Sequence, residues 1–326
     1  MTFLASLKRL VSRERGPADL ARWLDLPEAD LREWLGSRPP WTRGYDYRRF
    51  SVPKRRGATR QIDAPGDKLK DLQRRVLHRL LNPLGVADSA TGFVQGRSIV
   101  DNARPHAGRP VVINLDLADF FPSITAQRVE AVWRALGWND EAARILSAIC
   151  TLEGRLPQGA PTSPALSNQV CRHLDARLER LAASVGGTYT RYADDVTISL
   201  PGLRDQRRRP RPAGWGRLPR ESGWRAPRRA KRPGPTWRIV RRLLVIITDE
   251  GFVVQRKKRI RIQRAHQRQT ATGLVVNQKV NLPRATRRLI RAMQHRARQG
   301  RLDDVGRRRL RGLLDFQRMV EKQREA

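Results

Sequence analysis

Three aspartates carry the chemistry this sequence is equipped to do. Asp194 and Asp195 stand side by side in TYTRYADDVTISL, Thr188 to Leu200, between two short β-prone runs. Adjacent like charges repel, and a buried pair is costly unless a cation lies on it. Hairpin turns favour Asp-Gly or Asn-Gly, and neither occurs here. The pair is therefore either an exposed turn or a metal site. Asp116 lies in PVVINLDLADFFPSI, among Val111, Val112, Ile113, Leu115 and Leu117. That run reads as the end of a buried strand, where a carboxylate needs a cationic partner. Asp119, just before Phe120, reads as an ordinary turn residue. If the strands share one sheet, Asp116 meets the hairpin tip. Oxygen ligands with open positions suit two Mg²⁺ ions, which bind one or two carboxylates together with substrate phosphates. Two such ions about 3.5–4 Å apart activate an attacking hydroxyl and stabilise the leaving oxygen in phosphoryl transfer.

Composition narrows the substrate. The chain has 326 residues, with 67 Lys and Arg against 31 Asp and Glu, a formal net charge of +36. Such a surface binds polyanions, because each neutralised phosphate releases condensed counterions. The Arg-rich, Lys-poor balance also fits coding in a GC-rich genome. No apolar run approaches the roughly 20 residues of a membrane span, and the start MTFLASLKRLVSRERG lacks the apolar core and cleavage site of a signal peptide. Cys150 and Cys171 lie among apolar residues, and the five histidines show no zinc spacing. A cytoplasmic location and no membrane partner are expected.

The elements that must position the aspartates follow from periodicity. Residues 1–44 read as short amphipathic helices, with Pro17 and Pro27 near their starts. From Tyr45, YDYRRFSVPKRRGATRQIDAP reads as strand, turn and strand, closed by Pro65. DKLKDLQRRVLHRLLNPL is a helix burying Leu69, Leu72, Val76, Leu80 and Leu81. AQRVEAVWRALG, NDEAARILSAICTLEG and SPALSNQVCRHLDARLERLAASVG are further helices. Residues 201–237, rich in Arg, Pro and Gly, read as a disordered or loosely docked insertion. From Pro201 to Val240 the count is 13 basic to 2 acidic residues, and Trp215, Trp224 and Trp237 are either base-stacking groups or inert loop residues. After it come helix, turn and strand in RRLLVIITDEGFVVQRKKRIRI, a strand in QTATGLVVN, and basic helices over 281–326.

Tyr192-Ala193-Asp194-Asp195 resembles the catalytic hairpin of reverse transcriptases, and the surrounding motifs come in that family's order. LDLADFF resembles the first palm motif, and LPQGAPTSPALSN, Leu156 to Asn168, the loop and helix that position template and incoming nucleotide. FSVPKRRGATRQIDAP resembles the fingers hairpin, EGFVVQRKK the motif after the catalytic hairpin, and TGLVVN the primer-gripping strand pair. Asn102-Ala-Arg-Pro-His106 matches the Asn-Ala-x-x-His element of retron reverse transcriptases, and GFVQGRSIVDNA before it is retron-like too. Retron enzymes usually carry Val-Thr-Gly near the thumb entrance, in the region that recognises their own structured RNA. Here it is Ala271-Thr272-Gly273.

The resemblance implies an α+β right-hand polymerase: fingers and palm over 45–280, interrupted by the insertion, and a helical thumb over 281–326. It implies Asp116, Asp194 and Asp195 as ligands of two Mg²⁺ ions, and Lys258, with Lys257 as rival, as the acid that protonates pyrophosphate. Lys54, with Arg56 as rival, and Arg60 would hold the triphosphate, against the simpler reading of a solvated turn. Leu117, Phe121 and Gln158 would line the nucleotide site. Phe121 would exclude a 2′-OH, the alternative being a core phenylalanine beside Phe120. Gln158 would contact the template–nucleotide pair, unless its loop only caps the next helix. Asn102, His106, Thr272 and Gly273 would contact RNA, although His106 is also readable as a buried structural histidine. The implied activity is RNA-directed DNA synthesis on a structured noncoding RNA serving as template and primer. Deoxynucleoside triphosphates are the substrates, and the DNA product stays joined to the RNA at a 2′-OH. A role in antiphage defence with an accessory effector or toxin belongs to the same implication. The alternatives are a mobile-element enzyme of the group II intron kind, and an RNA-binding scaffold that sequesters an effector.

Overall fold

Val111–Asp116 form a strand in which every residue is buried, and the arrangement around the three aspartates is organised about it. The computed structural model describes residues 14–32, 46–53, 57, 59–202, 234–255 and 260–325. Lys54, Arg56, Lys257, Lys258 and most of the 201–237 stretch lie outside these. The first elements are α1 (Pro17–Leu24), α2 (Glu28–Arg32), β1 (Tyr47–Pro53), β2 (Thr59–Pro65) and α3 (Asp67–Val76), which runs into a π turn at Leu77–Leu81. Next are α4 (Ile99–Ala103), a 3₁₀ turn (Arg104–His106), β3 (Val111–Asp116), α5 (Ala126–Ala135), α6 (Asp140–Cys150), α7 (Ser163–Val170) and α8 (Arg172–Ser184). Then come β4 (Thr188–Tyr192), β5 (Asp195–Leu200), α9 (Pro235–Asp249), β6 (Arg261–Arg264), β7 (Thr270–Ala271), β8 (Leu274–Val275), α10 (Arg284–Arg298) and α11 (Asp304–Glu325). None of the helices among the described residues is long and apolar enough to cross a membrane.

The chain divides into two units, one of residues 1–86 and 119–173, the other of 87–118 and 174–326. In the first, β1 and β2 pair antiparallel from Tyr47↔Pro65 to Pro53↔Thr59. Their outer ends are exposed, with Phe50 and Val52 open to solvent, so the hairpin is an arm. Leu69, Leu72, Val76, Leu80 and Leu81 are all buried, as the helical period requires. Thr125 and Asn139 cap α5 and α6 through their side-chain oxygens. Gln73, fully buried, donates to the Tyr47 hydroxyl and to the Ile149 carbonyl, both at 2.8 Å. Burial pushes the Cys150 thiol up to about 12, so it remains protonated and unreactive.

In the second unit the sheet order is β4-β5-β3-β6, all antiparallel. Strand alternation sorts its side chains onto two faces. Tyr189, Arg191, Val196, Ile198, Leu115 and Ile113 share one. Thr190, Thr197 and Asn114 lie in one row of the other, above a row of Thr188, Ser199 and Val112. That second face is polar yet buried, and α4 with the 3₁₀ turn satisfies it. His106 bonds Ser199 Oγ and Thr190 Oγ1, both at 2.8 Å. The Asn102 side chain donates to Thr91 Oγ1 at 2.9 Å. Both residues have zero exposure, so the reading of them as RNA contacts gives way to a structural one. Their polarity matches that of a buried sheet face.

Two boundaries differ from the sequence expectation. Helix α9 begins at Pro235, inside the stretch expected to be irregular, because Gly234-Pro235 supplies a helix start. QTATGLVVN is two short strands about a turn rather than one, since Thr272 and Gly273 both have positive φ, the pattern of a type I′ hairpin.

Burial and the positive Arg109 nearby depress the His106 imidazole to about 3. The unfolded chain then takes up a proton below about pH 6.5 that the folded chain refuses, so His106 lowers stability as pH falls from there toward 3. Its loss of stability should approach about 1.4 kcal/mol per pH unit in the middle of that window. Urea titrations between pH 4 and 7 should show a slope of that order that is reduced in His106→Gln; equal slopes in both proteins would refute the assignment.

Candidate active site

β3 and β5 pair in a register that sets Asp116 directly opposite Asp195. Directly opposed residues of an antiparallel pair share a face, so the two carboxylates come side by side, with Tyr192 opposed to Asp195 on the far strand. The β4–β5 loop is the two residues Ala193 and Asp194. The sequence expectation put both aspartates at the bend; Asp195 is instead the first residue of β5. Ala193 has φ +57 while Asp194 does not share that sign, the pattern of a type II′ turn, whose first position favours glycine. A left-handed alanine at this point is strained backbone of the kind that gathers at working sites.

Neighbouring backbone locks this corner. The Leu117 N–H donates to the Asp194 carbonyl at 2.9 Å, Gln255 N–H to the Asp116 carbonyl at 2.8 Å, and Ala118 N–H to the Val253 carbonyl at 2.7 Å. The segment after α9 thus lies along the end of β3. On β4's outer edge Thr91 N–H donates to Arg191 O at 2.9 Å and Arg191 N–H to Ser89 O at 2.8 Å. Gly92 follows at once, and a Cβ there would fall 2.5 Å from Ala193 N and 3.0 Å from two Tyr192 backbone atoms. Phe93, left-handed at φ +63 and exposed, sets its ring 6.4 Å from that of Tyr192.

Asp116 is buried, and Asp194 and Asp195 are half-buried. Among the described residues no group of three His, Cys, Asp or Glu side chains forms a ready metal cage. The donor set is nonetheless hard carboxylate oxygen, two of the three groups side by side and the third one residue away. That is the partial shell which suits Mg²⁺, whose remaining positions go to substrate phosphates and water.

The other expected residues fall in definite places. Leu117 is buried beside Asp116, and its backbone serves the turn. Phe121, half-buried, has its ring 5.4 Å from that of Phe120 and belongs to the first unit. In that same unit Gln158 accepts from Asp63 N–H at 2.9 Å, which ties its loop to the β2 arm carrying the exposed Arg60. Gly159 has φ +142, and a Cβ there would fall 2.6 Å from Asp63 O. Thr272 and Gly273 form the β7–β8 turn, and the Thr272 hydroxyl donates to Ile99 O at 3.1 Å. Lys54 and Lys258 lie outside the described residues. Sequence reasoning passed over Gly92, Asp175 and Arg191. The signal for Arg191 was a charged residue on the apolar side of a strand alternating with Tyr189; nothing local marked the other two.

This corner sets the carboxylates of two adjacent antiparallel strands on one face beside a tight turn. Residues 52–213 match the family model described as reverse transcriptase (RNA-dependent DNA polymerase). The chain is 38% identical over 325 residues to the retron Mx65 reverse transcriptase of Myxococcus xanthus, covering 94% of this chain and 68% of that protein. To the retron Mx162 reverse transcriptase of the same species it is 35% identical, covering 93% of this chain and 63% of the relative. With the retron Ec86 reverse transcriptase of Escherichia coli the identity is 34%, over 85% and 77%. The chain thus spans about two thirds of the length of the two Myxococcus relatives. It belongs to the retron reverse transcriptases, a class of RNA-directed DNA polymerases.

A methyl group at Gly92 must displace the turn that carries Asp194. Gly92→Ala should lower deoxynucleotide incorporation about 10-fold or more and stability by about 1–3 kcal/mol. Gly312→Ala, where the added methyl meets open space in α11, should be neutral or slightly stabilising. Primer extension and thermal melting on the two variants check this pair of outcomes.

Proposed function

We propose that the chain copies part of a cognate structured RNA into single-stranded DNA, priming from a 2′-hydroxyl of that RNA and leaving a branched product. The observation that carries this reading is the Asp116↔Asp195 register beside the Ala193–Asp194 turn. Asp116, Asp194 and Asp195 would hold two divalent metal ions, whose charge would favour deprotonation of the attacking hydroxyl and offset the charge of the phosphates. The hydroxyl oxygen attacks the α-phosphorus, and the bond to the pyrophosphate oxygen breaks as the new ester forms. Lys258 gives a proton to the departing pyrophosphate. Lys54 and Arg60 hold the triphosphate by charge-assisted hydrogen bonds. Phe121 selects against a ribose 2′-OH, and Leu117 and Gln158 take part in nucleotide binding. Thr272 and Gly273 contact RNA from a turn that their own positive φ values shape.

The basic helices supply sequence-independent grip. Arg284, Arg287, Arg288 and Arg291 are exposed along α10, as backbone contacts to a duplex require. We place this activity in antiphage defence, with an accessory effector.

Expression of the gene with its flanking DNA, followed by isolation of bound nucleic acid, tests the proposal. The expected material is a DNA of discrete length joined to RNA through a 2′,5′ bond, sensitive to debranching enzyme and absent when Asp194 and Asp195 are both changed to Ala. Heterogeneous DNA with no branch would keep the polymerase and reject the retron product.

A further inference from the structure

One ion pair in the second unit is completely buried: Asp175 of α8 and Arg191 of β4 have no exposed side-chain surface. Arg191 Nε donates to Asp175 Oδ1 and Nη2 to Oδ2, each at 2.7 Å, a bidentate fork. The Tyr189 hydroxyl donates to the same Oδ1 at 2.7 Å. Removing two charges from water is expensive, and a pair of well-packed apolar residues would usually stabilise the fold as well or better. A pair kept in such a place calls for a task beyond stability.

The third guanidinium nitrogen shows the task. Arg191 Nη1 donates to the carbonyl oxygen of Ala193 at 3.2 Å. That carbonyl belongs to the peptide unit joining the left-handed Ala193 to Asp194, so its orientation sets where the Asp194 side chain begins. Arg191 backbone is itself held through both its N–H and its carbonyl, by Ser89 and Thr91. The donor that reaches the turn is therefore fixed at its root by backbone pairing and at its head by a carboxylate.

We propose that Asp175 and Arg191 are positioning residues for catalysis: a buried latch that holds the strained Ala193–Asp194 peptide in its working orientation. Asp175 acts through Arg191, and Arg191 through the turn; neither touches substrate. Lysine is no substitute, because a single ammonium cannot grip the carboxylate in a fork and also bond the carbonyl. The inference rests on reading Asp194 and Asp195 as catalytic, and the test separates the two.

Arg191→Met together with Asp175→Asn removes both charges, leaves Tyr189 an acceptor, and deprives the Ala193 carbonyl of its donor. The pair should melt closer to wild type than Arg191→Met alone, which strands a buried carboxylate. Its kcat for deoxynucleotide incorporation should fall about 10²-fold, with KM for the primer–template within about threefold. Recovery of kcat along with stability would overturn the latch and leave a merely structural ion pair. Should the double variant not fold, Arg191→Lys, which keeps the charge, is read instead: about a 10-fold loss of kcat is expected, and wild-type kcat overturns the proposal. Hydrogen exchange on metal-free protein gives a readout independent of activity. Amides of residues 194–196 and of Leu117, whose N–H donates to Asp194 O, should exchange about 10-fold faster in Arg191→Lys than in wild type, and unchanged exchange counts against the latch. If the wild-type chain incorporates no deoxynucleotide, the polymerase reading fails while the exchange comparison still decides the latch.

Discussion

The site depends on one strand register. Asp116 stands opposite Asp195 because β3 and β5 pair from Val111↔Leu200 onward without a slip. A shift by one residue would send every side chain to the other face and part the carboxylates. Several features exclude that shift. Both strands are buried along nearly their whole length, so a slip would bury polar groups in the apolar layer. Asn114 Nδ2 donates to Thr197 Oγ1 at 3.1 Å across the same pair. At the open end, the Leu117 and Gln255 amides close the last hydrogen bonds onto Asp194 and Asp116.

The two faces of the sheet keep the register by different means. One is largely apolar, and the Arg191 guanidinium on it is absorbed by Asp175 and the turn carbonyl. The other is a buried layer of hydroxyls and an amide, completed by His106 and by Thr190, whose hydroxyl donates to Asn102 O at 3.2 Å. Directional bonds on a buried polar face tolerate fewer arrangements than apolar packing, so they specify alignment where hydrophobic contact alone would not. The Asn102-to-His106 element therefore works as an alignment key for the sheet that bears the aspartates. A motif that marks the family by sequence serves here through burial.

Much of this was legible from residue order. Apolar periodicity gave α3 its buried face, and the β-prone runs about Tyr192 and Asp195 gave the hairpin. An isolated carboxylate among Val, Ile and Leu marked Asp116 as a residue in need of a partner. Three-dimensional consequences of pairing were less legible. The turn falls on Ala193–Asp194 rather than on the two aspartates because Tyr192 pairs with Asp195, and no local preference for alanine at positive φ announces that. Gly92 reads as one glycine among 24; its meaning comes from a backbone 100 residues away. Asp175 looks like an ordinary exposed helix residue until the partner strand brings Arg191 to it. His106 was readable in two ways, and burial chose between them.

The charge of the chain divides by the same logic. An exposed arginine on α10 interacts with a polyanion through a screened field, and any one of them is replaceable by a neighbour. Arg191 has no exposed side-chain surface, so its geometry matters more than its charge. The two classes meet in one core: Ile290 and Met293 of the basic helix pack in the same buried cluster as Val112 of β3, together with Ala271 and Leu274 of the β7–β8 hairpin. Val112 lies four residues before Asp116 on the same face of the strand. The basic helix and the strand that ends in Asp116 are thus packed into a single close-fitting interior. Such interiors transmit displacement rather than absorb it, so movement of that helix bears on the alignment of β3 and, through the register, on Asp116 and Asp195 together.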